Sequence, residues 1–210
     1  MARYGRPVGQ AGYAAVVLAG GSARRLGGVL KPALPVGGRP MLERVLAAVT
    51  DAVPRVVVGP PELRVPAGVL VTREEPPGGG PVAGTAAGLA LVPERGVAQV
   101  ALFAADLPLL DAGAVAVLRA ALGTADVALF VDDGGRRQSM CAIWRAGALR
   151  SGLRRLAGSP EGLSGVPMRA LLDGPAVAEV GWTGAGPPPW FDCDTDADLR
   201  RAEEWTDERT

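Results

Sequence analysis

Apolar runs bounded by glycine-rich turns alternate with amphipathic segments along most of this chain. Residues 14–18 form a continuous apolar run followed by glycines, which is typical of a strand buried on both faces of a parallel sheet. Residues 40–49 begin with proline and space their apolar side chains as an amphipathic helix does. The two segments predict a first unit of strand, loop and helix.

The alternation continues and predicts a doubly wound, mostly parallel α/β sheet with helices on both faces. Further strands are predicted at residues 55–58, 69–72, 99–104, 126–131, 139–144, 176–180 and 191–194. Further helices are predicted at residues 82–91, from a cap at Asp111 to about 122, and at 146–156, 166–172 and 195–205. Ligands of such sheets bind beyond the carboxyl ends of the strands, so we expect the loops after Leu18 and Ala104 to face the ligand.

The length of 210 residues is enough for one domain with a substantial core. We expect a flexible tail at residues 1–12 and a single domain at residues 13–206. Arg3 and Arg6 precede an apolar stretch, as in a signal peptide, but the stretch is short, contains Gly12 and runs into a glycine-rich loop. No apolar run reaches the roughly 18 residues of a membrane span, so no membrane association is expected.

Charge and composition narrow the classes of ligand and chemistry. The 22 basic residues balance the 22 acidic ones, so a small ligand is expected rather than a nucleic acid. Cys141 and Cys193 lie far apart with no C-x-x-C spacing, which argues against a disulfide framework or a zinc site and fits a reducing cytoplasm. The chain contains no histidine, which excludes a Ser-His-Asp triad, a Cys-His pair and a histidine-bound metal.

A glycine-rich loop, LAGGSARRLGGVLKP at residues 18–32, carries three basic side chains and no acid. It matches neither the G-x-G-x-x-G dinucleotide pattern nor the Walker A pattern. Its glycines still allow backbone N–H groups to approach phosphate oxygens, and Arg24, Arg25 and Lys31 supply positive charge. Lys31 is the only lysine in an arginine-rich chain, which suggests a role for a compact ammonium that a guanidinium does not fill.

The spacing L-A-G-G-x-x-x-R-x-G-x-x-x-K at residues 18–31 resembles the signature of the molybdenum cofactor guanylyltransferase family of nucleotidyltransferases. Four later segments are similar to further motifs of that family, in the same order along the chain. They are GGGPVAGTAAGL at residues 78–89, FAADLPLL at 103–110, RRQSMCAIWRAGAL at 136–149 and WFDCDTDADLRRA at 190–202. The resemblance covers nearly the whole chain and implies a Rossmann-like nucleotidyltransferase fold.

The resemblance also implies Mg²⁺-dependent transfer of GMP from GTP to the phosphate of molybdopterin, with release of pyrophosphate. Asp106 would hold Mg²⁺ between the nucleotide phosphates, and either Asp192 or Asp194 would complete the metal's ligands. Lys31 would neutralise charge on the transferred α-phosphate, and Arg25 would neutralise the departing pyrophosphate. The acceptor is a phosphate monoester that is already ionised at pH 7, so no general base is required.

Contacts with the nucleotide follow from the same resemblance. Glu75 stands near the position of a family aspartate, and its carboxylate would accept hydrogen bonds from the N1–H and N2–H₂ edge of guanine. The other implied nucleotide contacts lie in the first loop and around the start of the predicted helix at 82–91: Leu18, Ala19, Gly20, Gly21, Lys31, Gly80 and Gly84. Arg73, Arg136 and Arg137 are candidates for an anionic acceptor, although such residues are more often solvated surface charges.

Several positions depart from the family pattern. Leu30 stands where an aspartate often precedes the lysine, and Asp192 and Asp194 replace an N-x-N pair. Gly59, followed by two prolines, stands where an asparagine commonly helps to read the base. These departures leave the transferase interpretation intact and weaken the assignment to guanine.

Alternative functions therefore stay open. The first alternative is an enzyme of the same fold that uses CTP instead of GTP, or that transfers its nucleotide to another small phosphate such as phospholactate or a sugar phosphate. A non-catalytic nucleotide-binding module of the same fold is a second alternative, although intact Lys31 and Asp106 argue against it. The third is a protein that hands molybdenum cofactor to a molybdoenzyme or to its chaperone.

Overall fold

The computed structural model of this chain describes residues 12–20, 30–158, 162–184 and 186–207. Residues 1–11 of the predicted tail, together with Gly21 and Arg25 of the predicted site, lie outside these described residues. The strands are β1 (Tyr13–Leu18), β2 (Pro35–Val36), β3 (Arg39–Pro40), β4 (Arg55–Val58), β5 (Val69–Thr72), β6 (Gln99–Ala104), β7 (Val127–Val131), β8 (Arg137–Arg145) and β9 (Val177–Gly181). The helices are α1 (Met41–Ala48), α2 (Gly80–Ala90), α3 (Ala112–Ala121), α4 (Ala146–Ala157) and α5 (Asp196–Asp207), and short 3₁₀ helices occupy Lys31–Ala33 and Met168–Leu172.

Within the described residues, seven strands form one sheet in the order β5-β4-β1-β6-β8-β7-β9. The strands of each pair β4–β5, β1–β4, β1–β6 and β7–β9 run parallel, whereas β8 runs antiparallel to both β6 and β7. This arrangement confirms the predicted mostly parallel α/β sheet. A small hairpin of β2 and β3, which the pattern did not predict, turns at Gly37 and Gly38, both with positive φ.

Apolar clusters cover both faces of the sheet, and β1 shows how the sequence achieves this. Val17 belongs to the cluster that contains the buried faces of α1 and α3. Its neighbour Val16 points the other way, into the cluster that contains α2 and α4. Because both faces are buried, β1 has no polar alternation, which explains the continuous apolar run in the sequence.

Close packing of α2 on the sheet depends on Gly88. A Cβ at this position would lie 2.5 Å from Cγ1 of Val16 and 2.8 Å from Cγ2 of Val58. Both distances are below any real Cβ contact, so only glycine allows the helix to approach β1 and β4 this closely. The position of α2 in turn sets the loop that precedes it, next to the carboxyl end of β1.

One predicted strand, at residues 191–194, is wrong. These residues follow a proline-rich turn and adopt no regular secondary structure. Their backbone contacts the core through a hydrogen bond from Cys193 N–H to the carbonyl of Asp106 (3.2 Å). Asp106 lies in the loop after β6, so no neighbouring strand is available for residues 191–194 to pair with. Phe191 packs edge-on against Trp205 of α5, with ring centroids 5.0 Å apart, so the segment is held by side-chain packing.

The remaining predicted elements are found within three residues of their predicted ends, and the predicted cap at Asp111 accepts a hydrogen bond from the N–H of Ala114 (2.8 Å). The predicted helix at 166–172 is a shorter 3₁₀ helix. In the part of the chain that the structure describes, no helix is long and apolar enough to cross a membrane.

Candidate active site

A cavity of about 390 Å³ opens at the carboxyl ends of β1 and β6. The two strands pair in parallel with Leu18 opposite Ala104, so the loops that follow them leave the sheet side by side. The predicted site residues that line the cavity are Leu18, Ala19, Gly20, Lys31, Asp106, Asp192 and Asp194. The structure therefore brings together residues from the beginning, the middle and the end of the chain.

Lys31 is the cation at the centre of this group. It is the first residue of a 3₁₀ helix that Pro32 helps to start. Its Nζ lies 2.5 Å from Oδ2 of Asp106 and 2.7 Å from Oδ1 of Asp194. Desolvation lowers the pKa of Lys31, but the hydrogen bonds and charges of these two carboxylates outweigh it and raise the pKa above its ordinary value. Lys31 is therefore a charged ammonium at neutral pH.

The loop that carries Asp106 is anchored on both sides. The N–H of Ala105 donates to the carbonyl of Leu18 (2.9 Å), which continues the pairing of β6 with β1 by one residue. Arg44, on α1, donates from Nε to the carbonyl of Pro108 (2.8 Å). Because the backbone is held before and after Asp106, the carboxylate has a defined position at the cavity.

Asp192 and Asp194 reach the cavity from the segment before α5. Thr195, not Asp194, caps α5: its hydroxyl accepts a hydrogen bond from Asp198 N–H (3.2 Å), and the Asp198 carboxylate accepts one from Thr195 N–H (2.8 Å). Desolvation, followed by the negative charges of Asp194 and Asp106, raises the pKa of Asp192. The three carboxylates are therefore close enough to repel one another electrostatically, and a cation among them lowers this repulsion.

The donors in this cluster fit Mg²⁺ in kind. Carboxylate oxygens are the hard ligands that Mg²⁺ prefers, and two of them already share one cation in this structure, the ammonium of Lys31. No group of three acidic, cysteine or histidine side chains is preformed as a metal site anywhere in the described ranges. In this structure the oxygens of Asp106 and Asp194 that would hold a metal are engaged by the ammonium of Lys31.

The two cysteines play no nucleophilic part. Cys141 lines the cavity and Cys193 separates the two aspartates, and both thiols are buried. Burial raises the pKa of Cys141, and burial together with the charge of Asp106 raises the pKa of Cys193 to about 12. Since the thiolate is the reactive form, neither side chain is a nucleophile at neutral pH.

Three predicted nucleotide contacts do not line the cavity: Glu75, Gly80 and Gly84. Glu75 is exposed, immediately before Pro76. Gly84 faces the sheet rather than the cavity: a Cβ here would make ordinary van der Waals contacts with Leu18 at 3.4 Å and Val58 at 3.6 Å. Gly80 begins α2 with a φ of 87°, a conformation that favours glycine. Nucleotide contacts by these three residues stay predictions.

Glu74 does not line the cavity either, but it is a candidate that the sequence reasoning missed. It is only 8% exposed, and its Oε1 accepts a hydrogen bond from the N–H of Gly78 (3.0 Å). Its carboxylate oxygens lie 3.8 and 4.0 Å from the position that a Cβ on Gly20 would take, so the group sits beside the start of the glycine-rich loop. No local pattern distinguishes Glu74 from Glu75, because both follow the same short strand.

The departure at Gly59 has a steric reason. A Cβ at this position would lie 2.9 Å from Leu63 and 3.1 Å from both the Cβ and the carbonyl oxygen of Ala19. Gly59 therefore allows the loops after β1 and β4 to approach each other. A side-chain amide at this position would require Leu63 and Ala19 to shift, and the glycine itself offers no side chain to read a base.

The opposite wall of the cavity is formed by residues 136–141, mostly on β8, and by Trp190. Arg136 and Arg137, the predicted candidates for acceptor contacts, lie on this wall, whereas Arg73 is exposed outside the cavity. The sequence alone does not single out Trp190, since tryptophans usually serve in packing. Its place at the cavity became visible only in the tertiary structure.

Comparisons with known proteins agree with this arrangement. The MobA-like NTP transferase domain matches residues 15–175. The molybdenum cofactor guanylyltransferase of Bradyrhizobium sp. (strain ORS 278) is 32% identical over 195 residues, 90% of each chain. That of Rhodopseudomonas palustris (strain HaA2) is 34% identical over 197 residues, again 90% of each chain.

Solved structures share the fold. Molybdopterin-guanine dinucleotide biosynthesis protein A from Archaeoglobus fulgidus superposes with a TM-score of 0.67 at 20% identity, covering 92% of this chain and 98% of that one. The 2-C-methyl-D-erythritol 4-phosphate cytidylyltransferase from Thermus thermophilus superposes with a TM-score of 0.66 at 21% identity and the same coverage. The chain therefore belongs to the MobA-like NTP transferase family and is a nucleotidyltransferase.

Proposed function

We propose that this enzyme transfers GMP from GTP to the phosphate of molybdopterin in a Mg²⁺-dependent reaction that releases pyrophosphate. One observation carries the proposal: the lone lysine lies between Asp106 and Asp194 in a cavity at the ends of two parallel strands. A cation on a flexible side chain, together with carboxylate oxygens, suits the transfer of a nucleotidyl group. The names of the relatives at 32% and 34% identity support the choice of substrates.

In the proposed reaction, an ionised oxygen of the acceptor phosphate attacks the α-phosphorus of GTP. A new bond forms between that oxygen and the α-phosphorus, the bond to the bridging oxygen breaks, and pyrophosphate leaves with the bonding electron pair. The attacking oxygen carries no proton at pH 7, so the reaction proceeds without a general base. This agrees with a chain that contains no histidine.

Lys31 would act on the α-phosphate. Its flexible stem allows the ammonium to leave Asp106 and follow the phosphate oxygens as charge develops on them. Asp106 would be the main ligand of Mg²⁺, with Asp192 or Asp194 assisting, and the bound metal would neutralise charge on the nucleotide phosphates. We keep Arg25 as the proposed partner of pyrophosphate. The backbone at Leu18, Ala19 and Gly20 would cradle the nucleotide.

Glu74 supports guanine as the base. Its carboxylate lies beside Gly20 and is oriented by the N–H of Gly78. A carboxylate accepts two hydrogen bonds from adjacent donors, which matches the N1–H and N2–H₂ edge of guanine. Cytosine presents acceptors next to its amino group, and these would face the carboxylate without a proton between them. Glu74 thus takes over the role that the sequence pattern assigned to Glu75.

A panel of nucleotides tests the proposal. The purified protein, Mg²⁺ and molybdopterin are incubated with GTP, CTP, ATP or UTP, and the release of pyrophosphate is followed. We expect GTP to be used fastest, with no release when molybdopterin is omitted. Tighter binding of CTP than of GTP in calorimetry, or faster turnover of CTP, would show that the guanylyl assignment is wrong.

The same panel distinguishes the other functions. Transfer to phospholactate or a sugar phosphate in place of molybdopterin would overturn the proposed acceptor. Nucleotide binding without pyrophosphate release from any acceptor would indicate a binding module. The Asp106→Asn variant, which keeps the shape of the side chain and removes its charge, serves as the inactive control.

A further inference from the structure

A second cavity adjoins the first. Its volume is about 270 Å³, and it is lined by Arg137, Ser139, Arg169, Ala170, Leu172 and Asp173. Arg137 and Ser139 line both cavities. The space that begins at Lys31 and Asp106 therefore continues along β8 toward the 3₁₀ helix Met168–Leu172.

The backbone around the second cavity is held in place. Arg155, on α4, donates from Nη2 to the carbonyls of Asp173 (2.7 Å) and Ala170 (3.4 Å), which tie the 3₁₀ helix to α4. On the facing strand, Arg137 donates to Oε1 of Glu179 (2.7 Å). The two walls therefore belong to anchored elements, and the guanidinium of Arg137 has a defined direction.

Charge differs between the two ends of this continuous space. Among the described residues, the inner end holds three carboxylates, Asp106, Asp192 and Asp194, around the ammonium of Lys31. The outer end is lined by the guanidinium groups of Arg137 and Arg169 and the carboxylate of Asp173, and Arg137 is paired with Glu179. A metal-bound nucleotide suits the inner end, whereas the outer end offers guanidinium donors to a polar group that carries no metal.

Trp190 adds a flat aromatic wall to the first cavity. It is half-buried, and its ring packs on the fully buried Phe130 with centroids 5.1 Å apart at an angle of 35°. Phe130 is itself held by an edge contact from Trp182 at 5.6 Å. The orientation of the Trp190 ring is thus set before any ligand arrives, which lowers the entropic cost of stacking a planar group on it.

We propose that the acceptor binds along β8, with a planar heterocyclic ring against Trp190 and the hydrogen-bond-accepting edge of that ring at Arg169. Its phosphate then points back toward Lys31 and Asp106, where the transfer takes place. This inference rests on the proposed function for the presence of a phosphate acceptor, and it adds which residues select that acceptor. A compact phosphate without a ring would leave the wall at Trp190 and the second cavity without contacts.

Binding without turnover tests the assignment. Calorimetry measures the affinity of molybdopterin for the full-length protein loaded with Mg²⁺ and a non-hydrolysable GTP analogue. Trp190→Leu keeps an apolar side chain and removes the ring, Trp190→Phe restores an aromatic face, and Arg169→Gln removes a surface charge. Arg95→Gln is the matched control, because Arg95 is exposed in the turn before β6, at the opposite end of that strand.

We expect Trp190→Leu and Arg169→Gln each to weaken molybdopterin binding on the order of tenfold. Trp190→Phe should recover most of the affinity, and Arg95→Gln should bind as the wild type does. The affinity for the GTP analogue should stay unchanged in all four variants. Unchanged molybdopterin affinity in both Trp190→Leu and Arg169→Gln would overturn the inference, as would a wild-type protein that binds no molybdopterin.

Failure of the proposed function has a different signature. A wild-type protein that binds molybdopterin along this wall but releases no pyrophosphate contradicts the proposed transfer and leaves the binding assignment standing. Since Arg169 is exposed and the Gln variant disturbs no buried contact, an effect of Arg169→Gln on acceptor binding alone does not arise from unfolding. Circular dichroism of each variant checks the same point for Trp190→Leu.

Discussion

The ammonium of Lys31 lies 2.5 Å from the carboxylate of Asp106, although the two residues are 75 positions apart in the chain. Lys31 comes after β1 in the chain, and Asp106 stands directly after β6. Because β1 and β6 are parallel neighbours, the contact joins the two segments at one edge of the sheet. The same ammonium also contacts Asp194, which brings the end of the chain to this edge.

Replacing Asp106 with asparagine should abolish most Mg²⁺-dependent turnover, by roughly 10²–10³ in rate, because the side chain keeps its shape and loses the charge that holds the metal. Pyrophosphate release measures the loss, and electron paramagnetic resonance with Mn²⁺ measures metal affinity. Asp192→Asn and Asp194→Asn identify the assisting ligand, since only one of the two should weaken Mn²⁺ binding strongly. Near wild-type turnover in Asp106→Asn would remove this residue from the proposed site.

Substituting Lys31 with arginine should lower kcat far more than it raises the KM for nucleotide. Arginine keeps the charge, but its rigid planar fork does not follow the oxygens of a phosphorus that changes partners. Loss of one well-placed charge of this kind costs about 3–4 kcal/mol, or ~10²–10³ in rate. Steady-state kinetics measures both parameters, with Arg95→Lys as the control that should change neither. If Lys31→Arg turned over at the wild-type rate, the survival of a single lysine would be an accident of composition.

Glu74 and Glu75 form a matched pair for testing base recognition. Glu74→Gln should reduce the preference for GTP over CTP, because the amide replaces one acceptor oxygen with a donor that faces the donors of guanine. We expect a change of 10- to 100-fold, from about 1–3 kcal/mol for a lost charged hydrogen bond. Glu75→Gln, one residue further and exposed, should leave the preference unchanged. The ratio of kcat/KM for the two nucleotides is the measurement, and the reverse result would return the role to Glu75.

Two helical glycines should respond to alanine in opposite directions. Gly88→Ala places a Cβ 2.5 Å from Val16, and such overpacking should lower the free energy of unfolding by about 1–3 kcal/mol. Gly147, in the first turn of α4, has nothing within 4 Å of its would-be Cβ. Gly147→Ala should therefore raise the free energy of unfolding by roughly 0.5–1 kcal/mol through helix propensity. Urea denaturation followed by circular dichroism compares the two, and equal effects would contradict the close packing of α2.

The stability contribution of Lys31 should disappear at alkaline pH. Its pKa is raised in the folded protein, so folding favours the protonated form, and the contribution is fully present below the ordinary lysine pKa of about 10.4. It is lost as the pH rises through the folded-state pKa. Arginine stays charged in this range, so the free energy of unfolding of the wild type should fall relative to that of Lys31→Arg above about pH 10.5. Denaturation curves between pH 8 and 11.5 test this, and a difference that does not vary with pH would contradict the raised pKa.

Most of the secondary structure could be predicted from local patterns. The strands at β4, β5 and β6 coincide with their predicted ranges, since a short apolar run between turn residues has few other stable conformations. The strand predicted at 191–194 is wrong because the same alternation of apolar and polar residues is compatible with a loop. In such a loop the side chains pack, but the backbone pairs with no neighbouring strand. Only the availability of a neighbouring strand decides between the two.

Part of the site could be predicted as well. The motif spacing led to Lys31, Asp106 and the two later aspartates, and the structure brings all four to one cavity. It did not lead to Glu74, because burial of one of two adjacent glutamates depends on the path of the chain after β5. Nor did it lead to Trp190, whose aromatic contact with Phe130 spans two distant segments.

The sequence by itself determined the alternation of strands and helices, the family and the chemical type of the site, because these depend on periodicity, spacing and residue chemistry within short segments. The tertiary structure decided which side chains meet. Lys31 and Asp194 are 163 positions apart, and only the order of strands in the sheet, together with the packing of α5 and its preceding segment, places the ammonium between two carboxylates. Contacts over such separations arise from the balance of burial and charge across the whole fold, which no local pattern encodes.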